Sequence, residues 1–233
     1  MSNFTTWRSL VDGEEIVTIP DSEVDQENIL GHYDAIAAGW DNNETVTTWE
    51  GLQETADLSG GSPEAQSDGI NGNLSLYFDG TDDELSNNDI SSSVPNTVFV
   101  VTEVGDTNQD GRLFGEPDSN GGHNIRWDEG QWGLFNGGST VRASSTDSEP
   151  LALLTAHFGT DSNGGDLILR QNGTEIISEN EDGRSLNGIS VGQSRNDYYE
   201  GWISAVVVAN VEVDSSTVQD EEQRLADRYG IDL

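Results

Sequence analysis

The sequence predicts an all-β fold, a sandwich of two antiparallel sheets with a short C-terminal helix. From about residue 29, short apolar segments follow one another, separated by clusters of Gly, Asn, Asp and Ser, which is typical of strands joined by tight turns. Residues 167–178 hold Asn172 and Gly173 between two alternating segments, which predicts a two-residue hairpin because both turn positions need positive φ. The last segment has helical spacing of its apolar residues instead.

Apolar spacing places the strands along the chain. Residues 73–79 alternate, with Leu74, Leu76 and Phe78 on one face, as in a strand with one buried face. Residues 98–101 are a continuous apolar run, which predicts a strand buried on both faces. The other predicted strands cover residues 29–34, 45–51, 112–114, 124–127, 131–135, 140–143, 151–158, 167–170, 174–178, 189–191 and 202–211.

The C-terminal segment carries helix signals at both ends. Ser216 begins a capping box, and Gly230 suits the position that follows a helix, so residues 217–229 are predicted to form one helix. At the other end of the chain, residues 1–28 are polar and acidic. They are predicted to be an attachment arm that precedes a single domain over residues 29–233.

The charge of the chain restricts its partners. The sequence has 44 acidic residues, nine arginines and no lysine, for a formal net charge of −35. Such a surface repels nucleic acid and anionic membranes, so neither is an expected partner. The acids are dispersed among apolar strands, which indicates a folded protein adapted to molar salt, from a haloarchaeal cell or one of its viruses. The opening residues lack the apolar segment of a secretion signal, and no stretch is long enough to insert into a membrane.

Several segments together resemble the concanavalin A-like, laminin G-like jelly-roll family found in haloarchaeal virus and surface proteins. Residues 78–85 read Phe-Asp-Gly-Thr-Asp-Asp-Glu-Leu, similar to a strand and turn of that family. Where the family usually has a Glu in its last strand, this chain has Ser204-Ala205. The resemblance implies a two-sheet jelly roll and leaves the reaction open, because one fold hosts many functions. The other segments that carry it are residues 29–34, 45–51, 71–77, 172–173, 189–192 and 201–231.

One loop has the spacing of a calcium ligand set. Asp106, Asn108 and Asp110 place oxygen atoms at alternate positions before a glycine, and such oxygens converge on a hard cation in calcium loops. Calcium is therefore the candidate cofactor. The acidic residue expected at the last position of such a loop is missing, since Pro117 stands there. The alternative is a simple polar turn, and the turn at residues 79–83 is a second, weaker calcium candidate.

A glycan-binding patch is predicted where aromatic and amide side chains occupy neighbouring loops and strands. Sugar binding needs an exposed aromatic ring with polar groups beside it. The alternative is that Trp127 and Trp132 fill the core of the sandwich. The members of the predicted patch are His123, Asn124, Trp127, Trp132, Phe135 and Asn136.

No catalytic residue is predicted, and the chain is expected not to be an enzyme. The chain has no cysteine, which excludes thiol catalysis. Glu23, Asp25 and Glu27 form an alternating acidic triplet, which is similar to the strand motif of family-16 glycoside hydrolases, where two carboxylates must lie about 5 Å apart for a retaining mechanism. A family-16-like glycoside hydrolase is therefore kept as an alternative.

The leading functional expectation is a structural or adhesion protein on the virion surface of a haloarchaeal virus, such as a capsid decoration, turret, spike or tail-fibre head. Its lectin-like domain would bind host-surface glycans, and its partners would be other virion proteins or copies of itself in a homo-oligomer. A cellular surface lectin, located extracellularly or on the cell surface, is the alternative. Four glycosylation sequons begin at Asn3, Asn43, Asn73 and Asn172, and their use depends on the cell that makes the protein.

Overall fold

A computed structural model describes residues 21–117, 122–138, 140–144, 148–159, 166–181, 184–210 and 215–233. The strands are β1 (Ile29–Asp34), β2 (Thr48–Trp49), β3 (Leu58–Ser59), β4 (Glu64–Gln66), β5 (Ser75–Asp79), β6 (Leu85–Ser92), β7 (Asn96–Val104), β8 (Gly111–Gly115), β9 (Asn124–Asp128), β10 (Gln131–Phe135), β11 (Thr140–Arg142), β12 (Leu151–Phe158), β13 (Asp166–Gln171), β14 (Thr174–Asn180), β15 (Leu186–Val191), β16 (Gln193–Ser194), β17 (Asp197–Tyr198) and β18 (Glu200–Ala209). The helices are α1 (Ala35–Ala38) and α2 (Ser215–Tyr229), and 3-10 turns occur at Gln26–Asn28 and Ile70–Gly72.

Two large antiparallel sheets form the body of the molecule. The first sheet has the strand order β14-β13-β12-β7-β18-β5-β4, and β1 also pairs with β18. The second has the order β11-β10-β9-β8-β15-β6-β3-β2, while β16 and β17 form a small separate hairpin. The predicted all-β sandwich is confirmed. Three predicted strands, β1, β10 and β12, have the predicted limits.

The central strand β7 is buried on both faces, as its apolar run predicted. It lies between β12 and β18 in the first sheet. Val98 and Val100 point into the core between the two sheets. Phe99 and Val101 belong to a second apolar cluster on the opposite face, because successive side chains of a strand point to opposite faces.

Helix α2 covers that second cluster, so the molecule has three layers. Leu225, Ala226 and Tyr229 are buried against the outer face of the first sheet, as the helical spacing of the apolar residues in this segment predicted. The helix begins at Ser215, two residues before the predicted start, so Ser216 lies in the first turn rather than at the N-cap. It ends as predicted, with Gly230 at φ 66°.

The hairpin between β13 and β14 has the predicted two-residue turn. Asn172 has φ 48° and Gly173 has φ 75°, the positive values that a type I′ turn requires. The Asn172 side chain is also used within the fold, since its Oδ1 accepts the backbone N–H of Leu153 at 2.8 Å.

The predicted attachment arm is described only in part, since residues 1–20 lie outside the described residues. Val24 is buried in the cluster beneath α2, and the backbone N–H of Glu23 donates to Oε2 of Glu221 on that helix at 2.8 Å. The last residues of the predicted arm therefore pack against the domain. None of the described helices is long and apolar enough to cross a membrane.

Candidate functional site

The two tryptophans of the predicted glycan patch lie in the core between the sheets. Trp127 is 2% exposed and Trp132 is fully buried, with ring centroids 4.9 Å apart in an edge-on arrangement. Both indole N–H groups have internal acceptors, because Trp127 donates to the carbonyl of Thr107 at 3.1 Å and Trp132 to that of Glu149 at 2.8 Å. The alternative, that Trp127 and Trp132 fill the core, is therefore the arrangement observed. Neither ring is accessible to a ligand.

The other four members of the predicted patch do not form a platform either. The ring of His123 stacks on Phe158 with centroids 4.0 Å apart, and burial lowers the pKa of His123 to about 3. Asn124 and Asn136 are buried. Phe135 is half-buried, so of the six predicted residues it presents the largest surface to solvent.

A different aromatic pair reaches the surface, on the outer face of the first sheet. Tyr77 of β5 and Trp202 of β18 are direct cross-strand partners, with ring centroids 5.0 Å apart and planes tilted by 47°. Both are half-buried, so the sheet fixes each ring while part of it stays accessible. Leu76 and Phe78 point into the core, and strand alternation therefore turns Tyr77 outward.

Half-buried polar side chains surround this pair. Glu64 lies opposite Tyr77 on β4, and Glu103 lies opposite Trp202 on β7. The indole N–H of Trp202 donates to Oε1 of Gln66 at 2.7 Å. The members of this surface, called the aromatic patch from here on, are Tyr77, Trp202, Glu64, Gln66, Glu103 and Glu200.

The Tyr77 hydroxyl is held as a donor at one end of the aromatic patch. It donates to Oε1 of Glu200 at 3.4 Å. Burial raises the pKa of Tyr77, and the negative charge of Glu200 raises it further, so the hydroxyl stays protonated at neutral pH. The patch thus combines two accessible ring surfaces with carboxylate and amide acceptors. Aromatic rings contact the C–H faces of a sugar, and such acceptors bind its hydroxyl groups.

An acidic turn adjoins the aromatic patch. Asp79 lies two residues beyond Tyr77 on the same face and is the cross-strand partner of Glu200. Carboxylate oxygens of Asp79, Asp82 and Asp83 lie within 4.8 Å of one another. Asp83 is buried and accepts the backbone N–H of Asp79 at 3.0 Å, and burial raises the pKa of Asp83. This is the second calcium candidate from the sequence, and its oxygen donors suit a hard cation.

The first calcium candidate lies beside that turn, since a Cβ atom at Gly80 would be 2.8 Å from Nε2 of Gln109. Asp106 accepts two hydrogen bonds from Asn108 through one oxygen, at 2.9 Å from its backbone N–H and 3.0 Å from its side-chain amide. Asp110 accepts the backbone N–H of Glu129 at 2.7 Å. These bonds build the polar turn that was weighed as the alternative, and calcium binding by this loop stays a prediction.

The acidic triplet at Glu23, Asp25 and Glu27 is exposed and does not lie on a strand. Gln26–Asn28 forms a 3-10 turn, so the alternation that would place three carboxylates on one face is lost. The triplet therefore lacks the geometry expected of a family-16-like active site.

Sequence reasoning missed the aromatic patch, although part of the signal was present. The alternation of residues 73–79 places Tyr77 opposite the buried face. Trp202 opens a long apolar run, and such a run does not show which side chains face outward. Only the pairing of β5 with β18 brings the two rings together.

No family model matches the chain, and no curated protein sequence matches it. Solved structures do. A sialidase from Trypanosoma rangeli, solved in complex with sialic acid, has a TM-score of 0.62 and 11% identity over 88% of this chain and 34% of that chain. The fourth domain of AbnA, a GH43 extracellular arabinanase from Geobacillus stearothermophilus solved with arabinotriose, has a TM-score of 0.58 and 15% identity over 84% of this chain and 98% of that chain.

A third neighbour is the receptor-binding domain of botulinum neurotoxin type G, with a TM-score of 0.57 and 11% identity over 84% of this chain and 51% of that chain. Identities this low show the fold alone. The chain spans about a third of the length of the sialidases it matches. The β-sandwich part of the resemblance is confirmed, whereas membership of the laminin G-like family stays a prediction.

These neighbours correct one expectation. The prediction that the chain is not an enzyme is wrong. Sialidases and an arabinanase are enzymes and contain a sandwich of this shape, so the fold does not exclude catalysis. The chain has a fold that occurs within glycan-processing proteins, including a domain solved with a bound sugar.

Proposed function

We propose that this chain is a carbohydrate-binding β-sandwich module that binds sugar rings at the aromatic patch. The observation that carries the proposal is the cross-strand pair of Tyr77 and Trp202, two accessible rings 5.0 Å apart on a rigid sheet. The likeness to a whole arabinanase domain solved with arabinotriose supports it, since 98% of that domain is covered.

The aromatic patch offers the two kinds of contact that sugars use. The tilted rings of Tyr77 and Trp202 form an angled apolar surface that a pyranose or furanose ring can cover. Glu64, Gln66 and Glu103 stand at its edges and accept hydrogen bonds from hydroxyl groups. Because these side chains project from strands, little ordering is needed when a sugar binds, and preorganisation strengthens binding.

The location that we propose for the protein follows from the net charge of the chain. A net charge of −35 suits a protein that works in molar salt, and we propose the surface of a halophilic virus, or of its host cell, as the location. There the module would attach to host glycans, and a symmetric oligomer would add avidity. The predicted arm, residues 1–28, would attach it to neighbours, and its first 20 residues lie outside the described residues.

A glycan-binding survey in molar KCl tests the function. The native protein is expected to retain at least one neutral oligosaccharide, and Tyr77→Ala is expected to weaken that binding at least about tenfold. Tyr198→Ala is the matched control, since Tyr198 is a half-buried tyrosine on β17, in the small hairpin outside both large sheets. Equal binding by both variants would remove the aromatic patch from the proposal, and retention of no sugar at all would remove the function.

Two further measurements can be made on the same samples. Release of free sugar during the incubation would reveal glycan cleavage. Repeating the survey with a calcium chelator tests the predicted calcium dependence, and we expect weaker binding because the acidic turn at Asp79 adjoins the patch.

A further inference from the structure

We propose a second binding site, on the outer face of the second sheet, that takes the carboxylate or sulfate group of an acidic sugar. Its basis is a line of directly paired residues across four adjacent strands. Arg112 pairs with Arg126, Arg126 with Gly133, and Gly133 with Arg142. Direct cross-strand partners share a face, so three guanidinium groups lie side by side there. This set is called the arginine row.

Gly133 lies in the middle of the arginine row and is itself buried. A Cβ atom at this position would lie 3.0 Å from the carbonyl oxygen of Val141, and 3.5 Å from the Cγ atoms of both Arg126 and Arg142. A larger side chain at this position would require these neighbours to move. The absence of a side chain at Gly133 therefore leaves room for the stems of Arg126 and Arg142 on either side of it.

Two carboxylates hold the arginines in place without neutralising them. Asp128, whose side chain is 4% exposed, accepts from Arg142 at 2.8 Å and lies 3.1 Å from Nη2 of Arg126. Asp197 lies 3.2 Å from Nε of Arg112. Three cations thus face two anions within the row, so one positive charge is left over. Because both partner carboxylates are fixed by the sheet and by β17, the guanidinium groups are already oriented for a ligand.

A fourth arginine extends the positive region. Arg195, at the tip of the β16–β17 hairpin, has its guanidinium carbon 5.1 Å from the centroid of Phe135. Phe135 lies two residues beyond Gly133 on the same face of β10, and the Arg142 side chain is 40% exposed. The arginine row is therefore bordered by a half-buried ring with a further cation above it, and its Arg142 end is accessible.

This local cluster of arginines contrasts with the strongly acidic composition of the chain. Four of its nine arginines gather at this one surface, in a protein of net charge −35. At low salt, nucleic acid or a second copy of the chain would meet strong repulsion from the remaining surface. A short acidic oligosaccharide carries few charges, so it can use the local attraction without that penalty. Guanidinium groups bind carboxylate and sulfate oxygens through paired N–H donors.

The test compares three matched oligosaccharides in molar KCl by calorimetry: oligogalacturonate, a sulfated galactan fragment and neutral galactan. We expect the native protein to bind one or both acidic sugars. Arg142→Gln is expected to weaken that binding about 10- to 100-fold, the range for loss of one charge-assisted contact. Asp128 keeps Arg126 as a partner in this variant, so the fold should persist.

Arg184→Gln is the control, because Arg184 is exposed, lies outside the arginine row, and changes the charge by the same amount. The proposal is overturned if neither acidic sugar binds, or if Arg142→Gln and Arg184→Gln bind them equally well. It is also overturned if Arg142→Gln abolishes self-association measured by sedimentation, since the occupant would then be a second copy.

Discussion

His123 is a buried neutral base. Its side chain is 1% exposed, its ring stacks on Phe158, and its Nε2 accepts the backbone N–H of Arg184 at 2.6 Å. Burial lowers the pKa of His123 to about 3, and the positive charge of Arg184 contributes. An accepting Nε2 fixes the proton of the neutral ring on Nδ1. This histidine therefore stabilises the fold only while it remains uncharged.

A pH dependence of stability follows from that burial. Between pH 6.5 and 3 the unfolded chain binds a proton at His123 that the folded chain does not, because the folded pKa is about 3 and the ordinary value is 6.5. The contribution of uncharged His123 to the free energy of unfolding is thus fully present above pH 6.5. It decreases as the pH falls through this window. From pH 7 to 5 the loss due to His123 is about 2 kcal/mol.

Denaturant unfolding of the native protein and of His123→Phe, in molar KCl at pH 7 and 5, measures this loss. We expect the variant to lose about 2 kcal/mol less than the native protein over that interval. His32 is also buried with a lowered pKa, but it is present in both proteins and its contribution cancels. An identical pH dependence of the two proteins would contradict the prediction.

Side-chain direction decides which aromatic residues can bind a ligand, and the sequence shows it only in part. Trp127 follows outward-facing Arg126 and points into the core, so alternation was available there. The arginine row was not visible in the same way. Arg112, Arg126 and Arg142 are separated in sequence, and only the register of β8 to β11 aligns them. Register depends on long-range pairing that local patterns do not encode.

Among the elements, helix α2 is attached to the first sheet by ion pairs as well as by apolar contacts. Arg228 makes a bidentate contact with Asp34 of β1, at 2.6 and 2.8 Å. The two side chains are 10% and 0% exposed. Asp34 also accepts the backbone N–H of Ala37 at 2.9 Å, so one carboxylate joins β1, α1 and α2.

Asp34→Asn is expected to destabilise the protein by about 3 to 5 kcal/mol, the cost of leaving one partner of a buried ion pair uncompensated. That is a large part of a usual net stability of about 5–15 kcal/mol. Denaturant unfolding in molar KCl measures the change. Asp89→Asn removes the same charge at an exposed position and should change stability by less than about 0.5 kcal/mol. Similar values for the two variants would show that the ion pair does not fasten the helix.

Most strands and the helix could be predicted from the sequence, because their signals are local. Period-two alternation located β5, the apolar run located β7, and Asn172-Gly173 located the hairpin of β13 and β14. The order of strands could not be predicted. β18 pairs with β7 along its length and divides its other edge between β1 and β5, an arrangement set by packing of the whole sandwich. The aromatic patch depends on that arrangement of strands, so the sequence could not predict it either.

At the scale of the whole molecule, like charge opposes the compact state. The accessible surface of 10845 Å² is shared among 44 acidic residues, so neighbouring carboxylates lie on the order of 15 Å apart and each such pair repels by about 0.3 kcal/mol in water. Over many pairs this repulsion rivals a net stability of about 5–15 kcal/mol. At 0.15 M salt the Debye length is about 8 Å, and at 1 M it is about 3 Å, where repulsion at this spacing nearly vanishes.

The unfolding temperature is therefore expected to rise steeply as KCl increases from about 0.1 M to about 2 M, because screening removes the repulsion that folding concentrates. Thermal unfolding followed by circular dichroism measures the rise. Sucrose at matched osmolality is the control, since it stabilises compact states by exclusion without screening charge. If sucrose reproduced the effect, or if the unfolding temperature did not change with KCl, repulsion among the carboxylates would not be what limits the stability of this fold.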